Sequence, residues 1–229
     1  MLLACGRIGF DPEQLGGDVD AAPPPDGVVA GLVARYDFDT DVTSDSALGR
    51  SALCQDGCPA LDGNGRIGSA LSMDGGISHL EVMDDGSFNM PDGFTVAGWV
   101  RHRAIPGRTC LFTKPSTGSS NSWALCTDSD RRPFFFSCEG CDFLSAPDPV
   151  QLDTWTHLAG SYDGGLKKFY VDGVLVAEIA GMATFTMESL IIGGDIDGGF
   201  GFATDGLIDE LRVYDRALDP GEIAILAAP

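Results

Sequence analysis

Six cysteines from residue 54 onward, 34 acidic side chains and three histidines are the groups in this chain that could do chemistry. Cys54, Cys58, Cys110, Cys126, Cys138 and Cys141 could be paired as disulfides or, at CxxC spacing, could ligate zinc as thiolates. A single CxxC, Cys138-Glu-Gly-Cys141, with the other cysteines spread along strand-like segments, favours three disulfides. Cys54-Gln-Asp-Gly-Cys58 would staple a loop, and Cys138 with Cys141 would close a tight turn. Cys110 and Cys126 lie symmetrically about Gly118 in TCLFTKPSTGSSNSWALCTD, which reads as strand, turn, strand. A second register pairs Cys126 with Cys138 about Arg132 and leaves Cys110 for Cys141; the spacing does not choose between them.

The acids outnumber the 14 basic residues and give a net charge of −20, a field that repels phosphate backbones and excludes nucleic acid as a partner. Catalytic acids of a retaining glycosidase must stand about 5–5.5 Å apart, as alternate positions on one strand do. No such pair occurs. Asp209 and Glu210 are adjacent and so point to opposite faces, Glu178 and Glu188 are isolated, and Glu81 lacks an acid two or four residues away on its strand. His79, His102 and His157 sit in no GxSxG or HExxH context. The chain therefore reads as non-enzymatic.

The elements that must carry these groups are strands. FTVAGWVRH, TCLFTK, SWALCT, RPFFFSC, THLAGSYD and ESLIIGG are short, rich in aromatic and β-branched residues, and separated by turn formers drawn from 31 glycines. KFYVDGVLV predicts a hairpin with Asp172-Gly173 at a type I′ turn. The one helical segment is LDPGEIAILAA, opened by Asp219-Pro220 as N-cap and first turn. The fold class is all-β, an antiparallel two-sheet sandwich with a short C-terminal helical turn.

Five blocks in order, ARYDFD, RIGSALSMDGG, FTVAGWVR, DTWTHLAGSYDGGLKKFYVDGVLV, and IIGGD followed by DGLIDELRVYDRALDPGEI, resemble the laminin-G-like, concanavalin A-type jelly roll. The resemblance spans about residues 28–227. Alternation along Leu207–Tyr214 puts Leu207, Asp209, Leu211 and Val213 on one face, with Leu211 and Val213 as core positions. A carboxylate there needs a cation or N–H donors. The resemblance implies a structural calcium held by Asp209, by Asp37 from the first strand, and more weakly by Asp74 and Gly75. The alternative is that Asp209 accepts backbone N–H groups with no metal. Asp195, Asp197 and Asp205 do not make an EF-hand, because Gly199 and Gly206 occupy the fifth and twelfth positions.

Family positions make Trp99 and Trp155 packing residues; Trp123, beside the TGSSN turn, is left as a ligand contact. Phe200 and Phe202, in a glycine-rich loop, could stack on a sugar or tuck under the sandwich. Arg101, Arg103 and Arg108, with Arg131-Arg132, could receive an acidic glycan or pair with nearby acids.

Leu2-Leu3-Ala4-Cys5 resembles a lipobox, with Cys5 the residue to be lipidated, although no basic region or apolar run of ~7–15 residues precedes it. Residues 1–5 thus read as the stub of a lipoprotein signal, 6–27 as a flexible acidic tether rich in Pro and Gly, and 28–229 as the jelly-roll domain. Gly6 after the cysteine resembles outer-membrane sorting. The expectation is an exported, lipid-anchored surface protein whose domain binds a glycan or a surface protein without catalysis. The alternatives are a remote glycoside hydrolase or lyase and a structural spacer.

Overall fold

The computed structural model describes residues 27–43, 49–116, 121–138, 141–196 and 199–228. Cys5, Gly118, Asp197 and nearly all of the tether lie outside them. The first strands are β1 (Leu32–Tyr36), β2 (Leu53–Gln55), β3 (Ala60–Asp62), β4 (Ala70–Asp74) and β5 (His79–Val82). The long β6 (Phe94–Ala104) is followed by β7 (Thr109–Pro115), β8 (Asn121–Thr127), β9 (Pro133–Ser137) and β10 (Asp142–Ser145). Next come β11 (Thr156–Tyr162), β12 (Leu166–Val171), β13 (Val174–Ala180) and β14 (Leu190–Ile192). The chain closes with β15 (Asp195–Ile196), β16 (Phe200–Gly201), β17 (Asp205–Tyr214) and helix α1 (Pro220–Leu226).

Two antiparallel sheets form the sandwich. One has eight strands in the order β13-β12-β11-β6-β17-β4-β3, with β1 also pairing β17; the other has seven, β10-β9-β8-β7-β14-β5-β2. β17 is long enough that β4 pairs with its first half and β1 with its second. Between the sheets, Phe94, Val96, Val100, Ile208, Leu211 and Val213 from one meet Phe112, Trp123, Leu125, Phe135, Leu190 and Ile192 from the other. Burying these aromatic and branched side chains, each worth roughly 1.5–3 kcal/mol, is what selects the pairing of the sheets.

Local expectations hold where they rest on local chemistry. Asp172 (φ +48°) and Gly173 (φ +79°) both adopt the left-handed backbone that a type I′ turn requires. Asp219 caps α1, accepting from Glu222 N while the Glu222 carboxylate accepts from Asp219 N, a reciprocal capping box. The disulfides are Cys54–Cys58, Cys110–Cys126 and Cys138–Cys141. Cys110 and Cys126 are direct partners across β7 and β8, which decides between the two registers the spacing left open.

The alternation drawn along β17 fails at one point. Register shifts between Asp209 and Arg212, and Glu210 adopts φ +51°, the mark of a β-bulge. The extra residue reverses the parity of the strand. Ile208 therefore joins Leu211 and Val213 in the core, and Asp209 lies on the outer face, opposite Trp99 of β6.

Candidate functional site

The outer faces of the two sheets differ. Helix α1 covers one end of the eight-stranded sheet, where Ile223 and Leu218 pack on Ala97, Ala159, Tyr170 and Tyr214. Beyond the helix, the loop before β4 folds across the same face: Arg66 N and Ile67 N donate to Asp209 Oδ2 at 2.7 and 3.0 Å, and Glu210 N donates to Oδ1 at 2.8 Å. Burial pushes the Asp209 carboxyl up to about 7, the nearby Glu210 charge adds to this, and the three N–H donors pull the other way. Glu210 sits between two arginines, accepting from Arg212 Nη2 at 2.7 Å and from Arg35 Nη2 at 3.0 Å.

The calcium set inferred from the sequence does not fit one ion. Asp74 pairs in register with Asp205, which puts it about four residues, or ~13 Å, along β17 from Asp209. Asp74 accepts from Gly76 N, next to Gly75, and Asp37, beyond the end of β1, accepts from Asp39 N and lies 4.0 Å from Arg35. Among the described residues no three His, Cys, Asp or Glu side chains gather as a metal set. Asp209 itself accepts two backbone N–H groups on Oδ2 and a third on Oδ1, as the metal-free alternative requires.

The outer face of the seven-stranded sheet is more open. β9 carries three consecutive phenylalanines; Phe135 enters the core, so Phe134 and Phe136 lie on the other face. Phe143 of β10 pairs with Phe136 and packs against both at ring-centre distances of 5.4 and 4.5 Å. The Cys110–Cys126 disulfide and Ala124 make the floor beside them.

The far wall is the return from the β15–β16 hairpin. Phe202 adopts φ +52°, an uncommon backbone for a bulky residue, and is held there because its carbonyl accepts from Cys110 N at 2.7 Å while Thr204 Oγ1 donates to Cys110 O at 2.8 Å. The Arg108 guanidinium bridges the walls, 5.2 Å from the Phe134 ring, 5.7 Å from Phe143 and 5.4 Å from Phe202. Asn121 Nδ2 donates to Asp195 Oδ2 at 2.8 Å at the other end. The depression these residues enclose is about 90 Å³, well under the roughly 300 Å³ at which pockets begin to engulf a small molecule. It is a platform with one hole in it, suited to stacking a flat apolar face while polar groups read its edge.

Of the sequence-predicted contacts, Phe202 lines this platform and Phe200 does not: its ring stacks on His79 at 4.1 Å. Trp123 is a correction. It has no exposed surface, because its side of β8 faces inward against Phe112 and Phe94, so its indole is core and cannot meet a ligand. Phe134, Phe136, Phe143 and Asn121 carry no ligand expectation in the sequence, and Arg108 is marked there only as a receiver of an acidic glycan or an ion-pair partner. Their signal was PFFFS, a strand apolar on both faces although only one face can be core.

Beyond the hairpin, Glu81 and Glu188, isolated in the sequence, line one depression of about 50 Å³ with Ile191 and Ile196. Gln55 Nε2 donates to Glu81 Oε2 at 2.9 Å. The histidines are tied into the scaffold. His102 Nε2 lies 3.1 Å from Thr127 Oγ1, His79 Nδ1 lies 2.9 Å from Ile77 O, and His157 packs edge-on against Trp99.

Solved structures share this architecture. Domain 4 of AbnA, an extracellular arabinanase from Geobacillus stearothermophilus solved with arabinotriose, superposes with TM-score 0.69 at 24% identity, over 87% of this chain and 99% of that domain. Trypanosoma rangeli sialidase matches with TM-score 0.67 at 18% identity, over 96% of this chain but only 35% of the enzyme. The binding domain of Paraclostridial Mosquitocidal Protein 1 matches with TM-score 0.66 at 14% identity, over 86% of this chain and 52% of that one. At these identities the likeness is one of fold. Comparison with curated proteins finds no match. The Laminin_G_3 family of the concanavalin A-like lectin/glucanases superfamily matches residues 74–224. By that match, which takes in more than half of its length, the chain belongs to the concanavalin A-like lectin/glucanases superfamily.

Proposed function

We propose that the protein is a non-catalytic binding module that takes a neutral saccharide on the outer face of its seven-stranded sheet. The observation that carries this is the platform of Phe134, Phe136, Phe143 and Phe202 bridged by Arg108. Aromatic faces bind the apolar C–H face of a sugar ring, and the Asn121 amide keeps an N–H and its oxygen for hydroxyl groups after donating once to Asp195. The arabinotriose in the arabinanase domain makes that oligosaccharide the first probe to try. Titration calorimetry of the full chain against a panel of neutral oligosaccharides should find a binder. Phe143→Ala and Phe202→Ala should each weaken it at least tenfold, while Phe200→Ala leaves it unchanged. If Phe143→Ala and Phe202→Ala bind like the parent, the platform is not the site.

A second reading, a glycoside hydrolase of the same fold, is favoured by one observation, the shared depression at Glu81 and Glu188. Release of reducing ends from an oligosaccharide, abolished by Glu81→Gln, would establish it. The three disulfides support a place outside the cytoplasm, in an oxidising compartment. Lipidation at Cys5 belongs to the same proposal and is checked by mass spectrometry of the N-terminal peptide from membrane-recovered protein. No step of this reading runs through calcium.

A further inference from the structure

In a chain with 34 acidic against 14 basic residues, arginines find acids readily. Arg35 and Arg212 pair with Glu210, Arg103 with Asp205, and Arg216 with Glu222. Arg66 and Arg101 do not. Among the described residues neither has an acid within ion-pairing distance or a hydrogen bond from its guanidinium, and the Nε of each is buried without a partner.

These two lie together on the outer face of the eight-stranded sheet, the face opposite the platform. β6 presents Trp99 and Arg101 outward, because Val96 and Val100 point into the core. Register with β11 sets His157 opposite Trp99 and Thr156 opposite Val100, which brings Trp155 level with Arg101. The Arg101 guanidinium lies 5.7 Å from the Trp155 ring, and that of Arg66, from the loop before β4, lies 4.3 Å from the Trp99 ring. Stacked on indoles, the two cations are held in place without being neutralised.

The acids around them are already engaged. Asp62, whose carboxyl is lowered by Asn64 and more weakly by Arg101, accepts from Asn64 N and Nδ2. Asp209 accepts three backbone N–H groups, and Asp205 accepts from Arg103. His157 Nδ1, buried beside Trp99, also lacks a partner.

We infer that Arg66 and Arg101 form a second binding site, for a carboxylate or sulfate group carried on a sugar unit, with the Trp155 ring as its stacking face. Guanidinium forks match either oxyanion with two parallel hydrogen bonds. The net charge of −20 works against long polyanions and favours a singly charged sugar over nucleic acid. This inference does not depend on the platform.

The test is titration calorimetry on the full chain, with tryptophan fluorescence as a second readout. The probes are short galactose oligomers of equal length carrying one galacturonate unit, one sulfate group or no charge. At least one acidic oligomer should bind tenfold or more tighter than the neutral one, weaken as salt is raised, and quench fluorescence. Arg66→Gln and Arg101→Gln should each remove that advantage, and Arg101→Lys should retain part of it. Arg132→Gln, which removes the same charge elsewhere, should leave it intact. Which acidic oligomer binds identifies carboxylate or sulfate as the group. The inference is overturned if neither acidic oligomer outbinds the neutral one. It is overturned equally if Arg101→Gln, with melting behaviour like the parent's, loses no more than Arg132→Gln.

Discussion

The two outer faces of the sandwich are built by opposite means. On the eight-stranded sheet the chain covers itself: α1 lies over one end, a loop is clasped by Asp209 in the middle, and Glu210 is locked between Arg35 and Arg212. Its polar groups are buried and mostly matched. On the seven-stranded sheet the chain brings only the β15–β16 return across, and leaves Phe143 about half exposed beside a disulfide floor. A self-covered face turns sequence into stability, whereas an uncovered aromatic one is kept at the expense of solubility.

The sharpest break of that contrast is Glu210→Gln. It leaves two guanidiniums buried around a neutral amide, and should cost about 3 kcal/mol in denaturant unfolding. Replacing Cys110 and Cys126 together by Ala should cost a similar or slightly smaller ~3 kcal/mol, because the bridge closes a loop of 16 residues. In addition it should loosen the platform, seen as weaker saccharide binding, where Glu210→Gln leaves binding alone.

The next effect is one of slope. Asp209, pushed up to about 7 from 3.8, holds a proton in the folded protein that the unfolded chain has released, so its contribution falls as pH rises between about 4 and 7. His102 and His157 do the reverse. Burial takes them from 6.5 to about 4 and about 3, so the unfolded chain holds their protons, and their contribution grows as pH rises to 6.5. Asp209→Asn removes the first effect and keeps the second. Its unfolding free energy should climb more steeply than the parent's between pH 4 and 6.5, by up to about 1.4 kcal/mol per unit. An unchanged slope would mean that the three N–H donors keep Asp209 ionised throughout.

The smallest expected stability change is at Phe143→Ala, under about 1 kcal/mol, because over half of that side chain is already in water. A loss of several kcal/mol there would make the platform a structural cluster like the other face.

Much of this was legible in the chain. Period-two alternation and glycine-rich turns predicted the sandwich, and Asp172-Gly173 and Asp219-Pro220 follow from interactions between near neighbours, whereas the choice of Cys126 over Cys141 for Cys110 came only with the register of β7 and β8. The site was less legible. Phe202 could be marked as an aromatic in a glycine-rich loop, but Trp123 looked equally available, and nothing local says that one side of β8 faces Phe94.

What the sequence by itself determined is the set of strands, their turns and the oxidised state of the cysteines, since these depend on composition and on residues within one hairpin of each other. What only the tertiary structure decided is which face each strand turns outward and what lies across it. One extra residue at Glu210 reversed the side of Asp209, and loops distant in sequence settled the rest: Arg66 over Trp99, Phe202 beside Phe134, Glu81 beside Glu188. A bulge changes parity without changing composition, and a crossing loop is placed by the core beneath it.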